Sequence, residues 1–294
     1  MKDLSVIVVS CNTKDLTYQC ISKLQRALRL DSLSFEIIIV DNASTDGTGE
    51  KLASLVDNDT IKLIRNTTNE GYGKANNKGL VVAGGAYVLF LNSDVFVPEQ
   101  PFLSRVVAAM EKHPLWGALT VRVQFPTGAI DPASHRGFPT VWRSFCYFSK
   151  LERITAHIPL LNRMFGGYHL THLPLNKQHE IDSPTGAFFL TRRGIVEALQ
   201  GFDEHFFMYG EDLDLSFRIK RMGYSILYDP TYTVLHLKYQ SGIKNTNNTA
   251  LRSQTRNYFY ESMLIFYKKH YEPIYPQWIS RLVYFAIEQK RKAL

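Results

Sequence analysis

The sequence predicts an α/β fold: a mostly parallel central sheet with helices on both faces, followed by a C-terminal helical tail. Two observations carry this expectation. Short β-branched runs alternate with helical stretches through the first ninety or so residues, and three of these runs stop abruptly in a polar cluster. Strands buried on both faces of a parallel sheet read as continuous apolar runs, and the strand–helix rhythm is that of crossover connections. With 294 residues, 45% of them hydrophobic and 21% charged, the chain can bury a full core without disulfides or a structural metal and is too apolar for wholesale disorder.

Taken in order, residues 5–10 (Ser-Val-Ile-Val-Val-Ser) form a buried strand and residues 15–30 a helix. Residues 35–40 (Phe-Glu-Ile-Ile-Ile-Val) are a second buried strand, ending in the turn-and-cap run 41–48. A helix to about residue 56, a short strand 61–65, a helix 71–82 and a strand 87–91 follow. Residues 126–184 show no clean period and are rich in Arg, His and aromatics, with His135-Arg136-Gly137-Phe138-Pro139 at their centre. They suit a lid, an acceptor platform, a membrane-facing segment or an irregular packed connection. Regular patterning returns with a strand at 185–190, a turn at 201–204, a helix over 212–222 stopped by Gly223, and strand-like runs 224–228 and 231–235. The polar stretch 242–250 reads as a mobile loop, and a helical tail runs from about 251, broken near Pro273 and Pro276. The expected division is a domain over 1–241 and an extension over 242–294.

In parallel α/β sheets ligands bind beyond the carboxyl ends of the strands. Cys11-Asn12, Asp41-Asn42 and Asn92-Ser93-Asp94 each lie where a buried strand stops. One such cluster is a helix cap; three on consecutive strands mark a ligand edge. The formal charge of +7 favours nucleic acid, anionic lipid or phosphate-bearing ligands. No nucleic-acid-binding signature accompanies it, which excludes nucleic acid as the expected partner. Three cysteines without a CxxC pattern suit a reducing compartment. The N-terminal apolar run is too short for a signal peptide, and no stretch approaches the roughly 18 residues that span a bilayer. The expected location is cytoplasmic, with any membrane contact peripheral, on the inner face of the cell membrane.

Two acidic groups invite chemistry. A carboxylate at Asp94 suits Mg²⁺ or Mn²⁺ bridging a diphosphate, and the imidazole of His236 suits a further ligand position. Glu211-Asp212-Leu213-Asp214 opens a helix behind the apolar run 206–210, where a carboxylate with a raised pKa suits a general base.

Four motifs in order, Val40-Asp41-Asn42-Ala43-Ser44-Thr45-Asp46-Gly47-Thr48, Asn69-Glu70-Gly71-Tyr72-Gly73-Lys74-Ala75-Asn76-Asn77, Leu91-Asn92-Ser93-Asp94 and Gly210-Glu211-Asp212-Leu213-Asp214-Leu215-Ser216-Phe217-Arg218, resemble glycosyltransferase family 2 with the GT-A fold. The resemblance covers about residues 4–241 and looks most like the rhamnosyltransferase-type branch that builds bacterial surface polysaccharides. It implies a nucleoside-diphosphate sugar donor, dTDP- or UDP-linked, and a saccharide or lipid-linked saccharide acceptor. Asp41 would hold the base and Asn76 and Asn77 would line the nucleotide pocket; Cys11, Asn12, Asn92 and Ser93 are placed in it by their position at the strand ends. Asp94 and His236 would hold the metal. Asp212 would be the catalytic base, supported by Glu211. Thr185, Gly186 and Ala187 would border the acceptor; the composition of the irregular middle, not the resemblance, places His135 and Arg136 beside them. One departure is that Asn92 stands where the family's Asp-x-Asp motif begins, so the metal rests on Asp94, His236 and the diphosphate. The implied reaction is a single inverting displacement.

Arg252 and Arg256 share a helical face suited to a diphosphate. Residues 278–292 resemble a basic amphipathic helix, which either packs on the domain or lies on an anionic membrane. A non-catalytic nucleotide-sugar binding module would not need Asp212. A sugar nucleotidyltransferase would carry an early Gly-rich phosphate loop, and Cys11-Asn12-Thr13-Lys14 is not one. A dinucleotide oxidoreductase would show GxGxxG after a strand, which is absent from the sequence.

Overall fold

The computed structural model describes residues 2–57, 59–238 and 249–292. The N-terminal half builds as its patterning predicts: β1 (Lys2–Ser10), α1 (Lys14–Leu30), β2 (Phe35–Asp41), α2 (Thr48–Ala53), β3 (Ile61–Arg65), α3 (Tyr72–Val81) and β4 (Gly85–Asn92). Their four strands lie parallel in the order β3-β2-β1-β4. The register decides where the polar clusters fall. Ser10 pairs with Asp41 and Val9 with Asn92, so β1, β2 and β4 end level with one another.

Beyond β4 the sheet becomes mixed. After β5 (Val95–Phe96) and α4 (Leu103–Lys112) come β6 (Trp116–Gln124), α5 (Val141–Phe148), α6 (Leu151–Ile154), α7 (Pro159–Phe165), β7 (His179–Ile181), β8 (Phe188–Arg192), α8 (Arg193–Ala198), α9 (Glu211–Arg221) and β9 (Ser225–His236). The sheet continues β4-β8-β6-β9-β5, with β7 also on β9. β8 runs antiparallel to both β4 and β6, while β6 and β9 are parallel. The parallel character thus holds for the N-terminal half. The irregular middle contains three short helices, α5 to α7.

Two strand expectations are adjusted. The two runs at 224–235 form one strand, β9, whose pairing with β6 jumps from Val121↔Asp229 to Arg122↔Thr233. Pro230 cannot donate to a ladder, so the strand bulges there instead of breaking. The strand expected from residue 185 begins at Phe188, leaving Thr185–Gly186–Ala187 as a turn at the mouth of the sheet.

Core clusters fill both faces of the sheet, one around Leu4, Val6, Leu24 and Leu89, the other around Ile7, Ile38, Phe90 and Phe189. The tail forms α10 (Thr249–His270) and α11 (Gln277–Lys292), divided at the Pro273–Pro276 turn. Phe266, Tyr267 and Tyr271 pack with Phe206 and Leu213 in a third cluster that seats the tail on the domain. The loop expected at 242–250 and the boundary at 241 fall largely outside the described residues.

Candidate active site

The level ends of β1 and β2 are tied into one floor. Asn12 takes a left-handed conformation (φ 53°), which Asn tolerates better than most residues. Its Oδ1 accepts from Thr45 N at 2.7 Å, and its own N–H donates to Ser44 Oγ at 2.9 Å. Asp41 is buried and accepts from Ser44 N at 3.1 Å. A Cβ on Gly49 would overlap the Asp41 carboxylate and the Arg65 guanidinium, so only glycine lets α2 approach this closely. Asn42 is saturated: it donates to Asn69 Oδ1 and Gly71 O and accepts from Asn66 Nδ2 and Glu70 N. Burial and then the Asp41 charge push the Cys11 thiol up, so it stays protonated and is no nucleophile.

The two asparagines of α3 part company. Asn76 is buried, with its Nδ2 on Tyr72 O and its Oδ1 unpaired. Asn77 spends its amide on the turn 201–204, donating to Phe202 O and Glu204 Oε1 and accepting from Phe202 N. The expectation that Asn77 lines the nucleotide pocket is therefore corrected; it fixes a turn.

A second corner lies beyond β4. Val95 of β5 pairs with His236 at the end of β9, which brings the imidazole beside Asp94. His236 Nε2 lies 3.2 Å from Asp94 Oδ1, and Nδ1 lies 2.9 Å from Asp131 Oδ2. Lys238 Nζ reaches Asp131 at 3.3 Å. Burial works against a charged ring, yet the hydrogen bonds to Asp131 and Asp94 outweigh it and push His236 up to about 9. Asp94 Oδ2 is buried without a hydrogen-bond partner. These observations fit a divalent cation: an orphaned carboxylate oxygen, an imidazole beside it, and a carboxylate behind the imidazole to orient it. Among the described residues no group of three or more His, Cys, Asp or Glu side chains forms a closed metal cage. Asp94 and His236 are the two side chains that would hold such a cation. Sequence reading missed Asp131, because Asp131-Pro132 looks like an ordinary cap, which it also is.

The third corner opens α9. Asp212 Oδ2 accepts from Arg136 Nη2 at 2.8 Å and from Gly186 N at 3.2 Å. Arg136 is itself buried and also donates to Pro184 O. The sequence places it beside the acceptor; in the fold its guanidinium is spent on Asp212 and Pro184. Glu211 is buried with Oε2 unpaired; burial, then the Asp212 charge, push its carboxyl up to about 8. Asp214 turns away to His270, Lys269 and Arg218, each at 2.7 Å. The apolar run before α9 seats the tail: Phe207 packs on Tyr258 and Tyr209 on Phe259.

The turn 185–187 joins the second and third corners. Tyr72 Oη donates to Gly186 O, Gly186 N donates to Asp212, and Asn92 N donates to Ala187 O at 3.4 Å. His135 does not join them. It is buried, with one ring nitrogen on His169 O and the other 2.6 Å from His179 Nε2, and burial pushes it down to about 4. Its placement as an acceptor ligand is corrected to packing beneath β9, against Tyr228. Arg256 is half-buried on α10, and the Arg252 side chain lies outside the described residues.

Residues 5–199 match the family described as Glycosyl transferase family 2. The chain belongs to glycosyl transferase family 2. This family 2 transferase is 28% identical over 242 residues to an N-acetylglucosaminyl-diphospho-decaprenol L-rhamnosyltransferase of Mycobacterium tuberculosis, covering 77% of this chain and 75% of that one. It is 24% identical over 243 residues to the rhamnosyltransferase WbbL of Escherichia coli, covering 79% and 82%. These relatives put the transferase in the rhamnosyltransferase-like branch. Two solved structures share its GT-A fold. A Pyrobaculum calidifontis mannosyltransferase in complex with GDP-Man and Mn²⁺ has a TM-score of 0.57 at 18% identity, covering 91% of this chain and 64% of that one. GalNAc-T7 with UDP, GalNAc and Mn²⁺ has a TM-score of 0.62 at 15% identity, covering 90% and 48%. The transferase thus spans less than two thirds of either solved chain.

Proposed function

We propose that this enzyme moves one sugar, rhamnose, from a dTDP- or UDP-linked donor to a hydroxyl of a lipid-linked saccharide, with inversion, in cell-surface polysaccharide synthesis. The observation that carries the reading is the chain of contacts from Asp212 through Gly186 and Ala187 to Asn92, beside Asp94 and His236. It couples a base to a cation corner across one short turn. The relatives' rhamnosyltransferase names support the sugar and the lipid-linked acceptor.

Asp41 and Asn76 receive the nucleotide. Asp94 and His236 would hold Mg²⁺ or Mn²⁺, which would supply charge neutralisation for the departing diphosphate. Asp212, aimed by Arg136 and the Gly186 N–H, takes the proton of the acceptor hydroxyl as that oxygen bonds to the anomeric carbon and the bond to the diphosphate breaks. A double displacement needs a second, nucleophilic carboxylate nearby. Asp214 is engaged by Arg218, Lys269 and His270, and burial raises the Glu211 carboxyl well above the usual carboxylate range, which disfavours an ionised nucleophile there and supports the single displacement. The acceptor's lipid puts the enzyme at the cytoplasmic face of a membrane, with α11 as its contact. No helix among the described residues is long and apolar enough to cross one.

The test is nucleoside-diphosphate release from a panel of nucleotide sugars with Mn²⁺ or Mg²⁺ and lipid-linked or soluble acceptors, beside Asp212→Asn. Donor-selective release that collapses in the variant is expected. Donor binding without release, unchanged by the substitution, defeats the reading.

A further inference from the structure

We infer that residues 141–165 and α11 form one composite face that docks on an anionic lipid bilayer. The two segments are more than a hundred residues apart in sequence but meet in space. Val141, Val283 and Tyr284 pack against the same buried cluster, and Lys290 Nζ lies 5.7 Å over the Phe148 ring.

Each segment keeps apolar side chains in water. On α11, Ser280 and Ile287 turn inward, while Trp278, Leu282 and Phe285, at i, i+4 and i+7, are 59–64% exposed. On α5 and α7, Trp142, Phe145, Leu160 and Met164 are 50–72% exposed. Trp142 is already braced, stacked on Phe145 and donating to Met164 O. Single exposed apolar residues are ordinary on any surface; a group of this size on two adjoining segments marks an interaction face.

Charge selects the occupant. Each segment carries four Lys or Arg and one Glu. Glu152 is buried against His169, and Glu288 lies within 4.0 Å of Arg291 and 3.6 Å of Lys292. The exposed charges among the apolar groups are therefore mainly cationic: Lys150, Arg153 and Arg163 on one segment, Arg281 and Lys290 on the other. Aromatic and aliphatic groups interleaved with cations suit the headgroup region of an anionic leaflet. A second copy of this chain would set cations against cations.

The face adjoins the chemistry. The backbone runs from Arg136, on Asp212, through Phe138 into α5, and Arg143 Nη1 clamps Asp182 at 2.7 Å, just before the turn that holds Asp212. Docking, which rests on the lipid-linked acceptor reading for its purpose, would present the Asp212 side to an acceptor in the bilayer.

The experiment mixes the full chain with phosphatidylcholine vesicles, with and without phosphatidylglycerol, whose acyl chains are brominated. Sedimentation with the anionic vesicles, weakened by salt, and quenching of tryptophan fluorescence are expected. Trp142→Ser/Phe145→Ser and Trp278→Ser/Phe285→Ser should each weaken vesicle binding by at least about tenfold, with nucleoside-diphosphate release in the presence of a soluble acceptor unchanged. The inference is overturned if the anionic lipid has no effect, if only one of the two double variants loses binding, or if the variants instead abolish a concentration-dependent dimer. Vesicle binding by a protein that releases nucleotide from no donor would sink the transfer reading and leave the docking intact; release without binding would do the reverse.

Discussion

The floor proposed to receive the nucleotide and the corner proposed to carry the chemistry are built by opposite means. The floor is local: Asn12, Asp41, Asn42, Asp46 and Asn69 engage backbone and side chains of neighbouring loops at the level ends of adjacent parallel strands. The catalytic corner is assembled over distance: Arg136 and Asp212 are 76 residues apart, and Asp131 and His236 are 105 apart. The floor has mostly neutral hydrogen bonds, whereas the corner buries charges that need partners. Damage to the floor should therefore loosen donor binding, and damage to the corner should cost turnover, stability or both.

The largest separation is expected from Asp212→Asn set against Asp41→Ala. The first should lower kcat by about 10²–10⁴ with donor Kd little changed; the second should weaken donor binding while sparing kcat at saturation. Equal effects on both parameters in both variants would erase the distinction. Chelation, or Asp94→Asn, belongs with the first class, because an orphaned carboxylate oxygen is lost. Activity should fall by at least about a hundredfold and return with Mn²⁺ after chelation but not in the variant.

Arg136→Met tests the cost of distance directly. Breaking a buried pair by removing one partner costs about 3–5 kcal/mol, so chemical denaturation should show a loss of that order. Arg136→Lys should restore part of the stability and less of the kcat, because an ammonium does not reproduce the guanidinium's geometry. Asp214→Asn sharpens the contrast from the other side. It should weaken docking of α10 by about 1–3 kcal/mol, yet leave kcat nearly intact below the unfolding transition.

The smallest effect is a pH slope. The Glu211 carboxyl titrates at about 8 in the fold against 4.5 as its ordinary value. The folded chain holds the extra proton between those values, so this group's contribution to stability declines as pH rises through that window. Glu211→Gln should bring the unfolding midpoints at mildly acidic and mildly alkaline pH closer together. An unchanged difference would place the titration elsewhere.

Legibility follows the same division. Asp41, Asn76 and Asp94 lie inside contiguous motifs whose strand endings are written in the apolar pattern, and Asp212 lies at a helix start. Arg136 sits in a run without period, so its expected place beside the acceptor rested on composition, and its pairing to Asp212 was unreadable. His135 looked like a site residue for the same reason and packs against Tyr228, whereas Asn77 lies inside a motif and its amide fixes the turn 201–204. The apolar residues 206–210 suggested a raised carboxyl pKa; the shift falls on Glu211, and the aromatics also seat α10.

By itself the sequence determined the parallel half of the sheet, the polar edge where its strands end, the family and the residues of its motifs, because period, turn chemistry and strand endings are local properties of the chain. The tertiary structure alone decided that Arg136 holds Asp212, that Asp131 backs His236, that Asp214 serves the tail, and that α5, α7 and α11 share one exposed face. Buried charge pairs and composite surfaces depend on which distant segments the fold brings together, and no local pattern encodes a distance across the sheet.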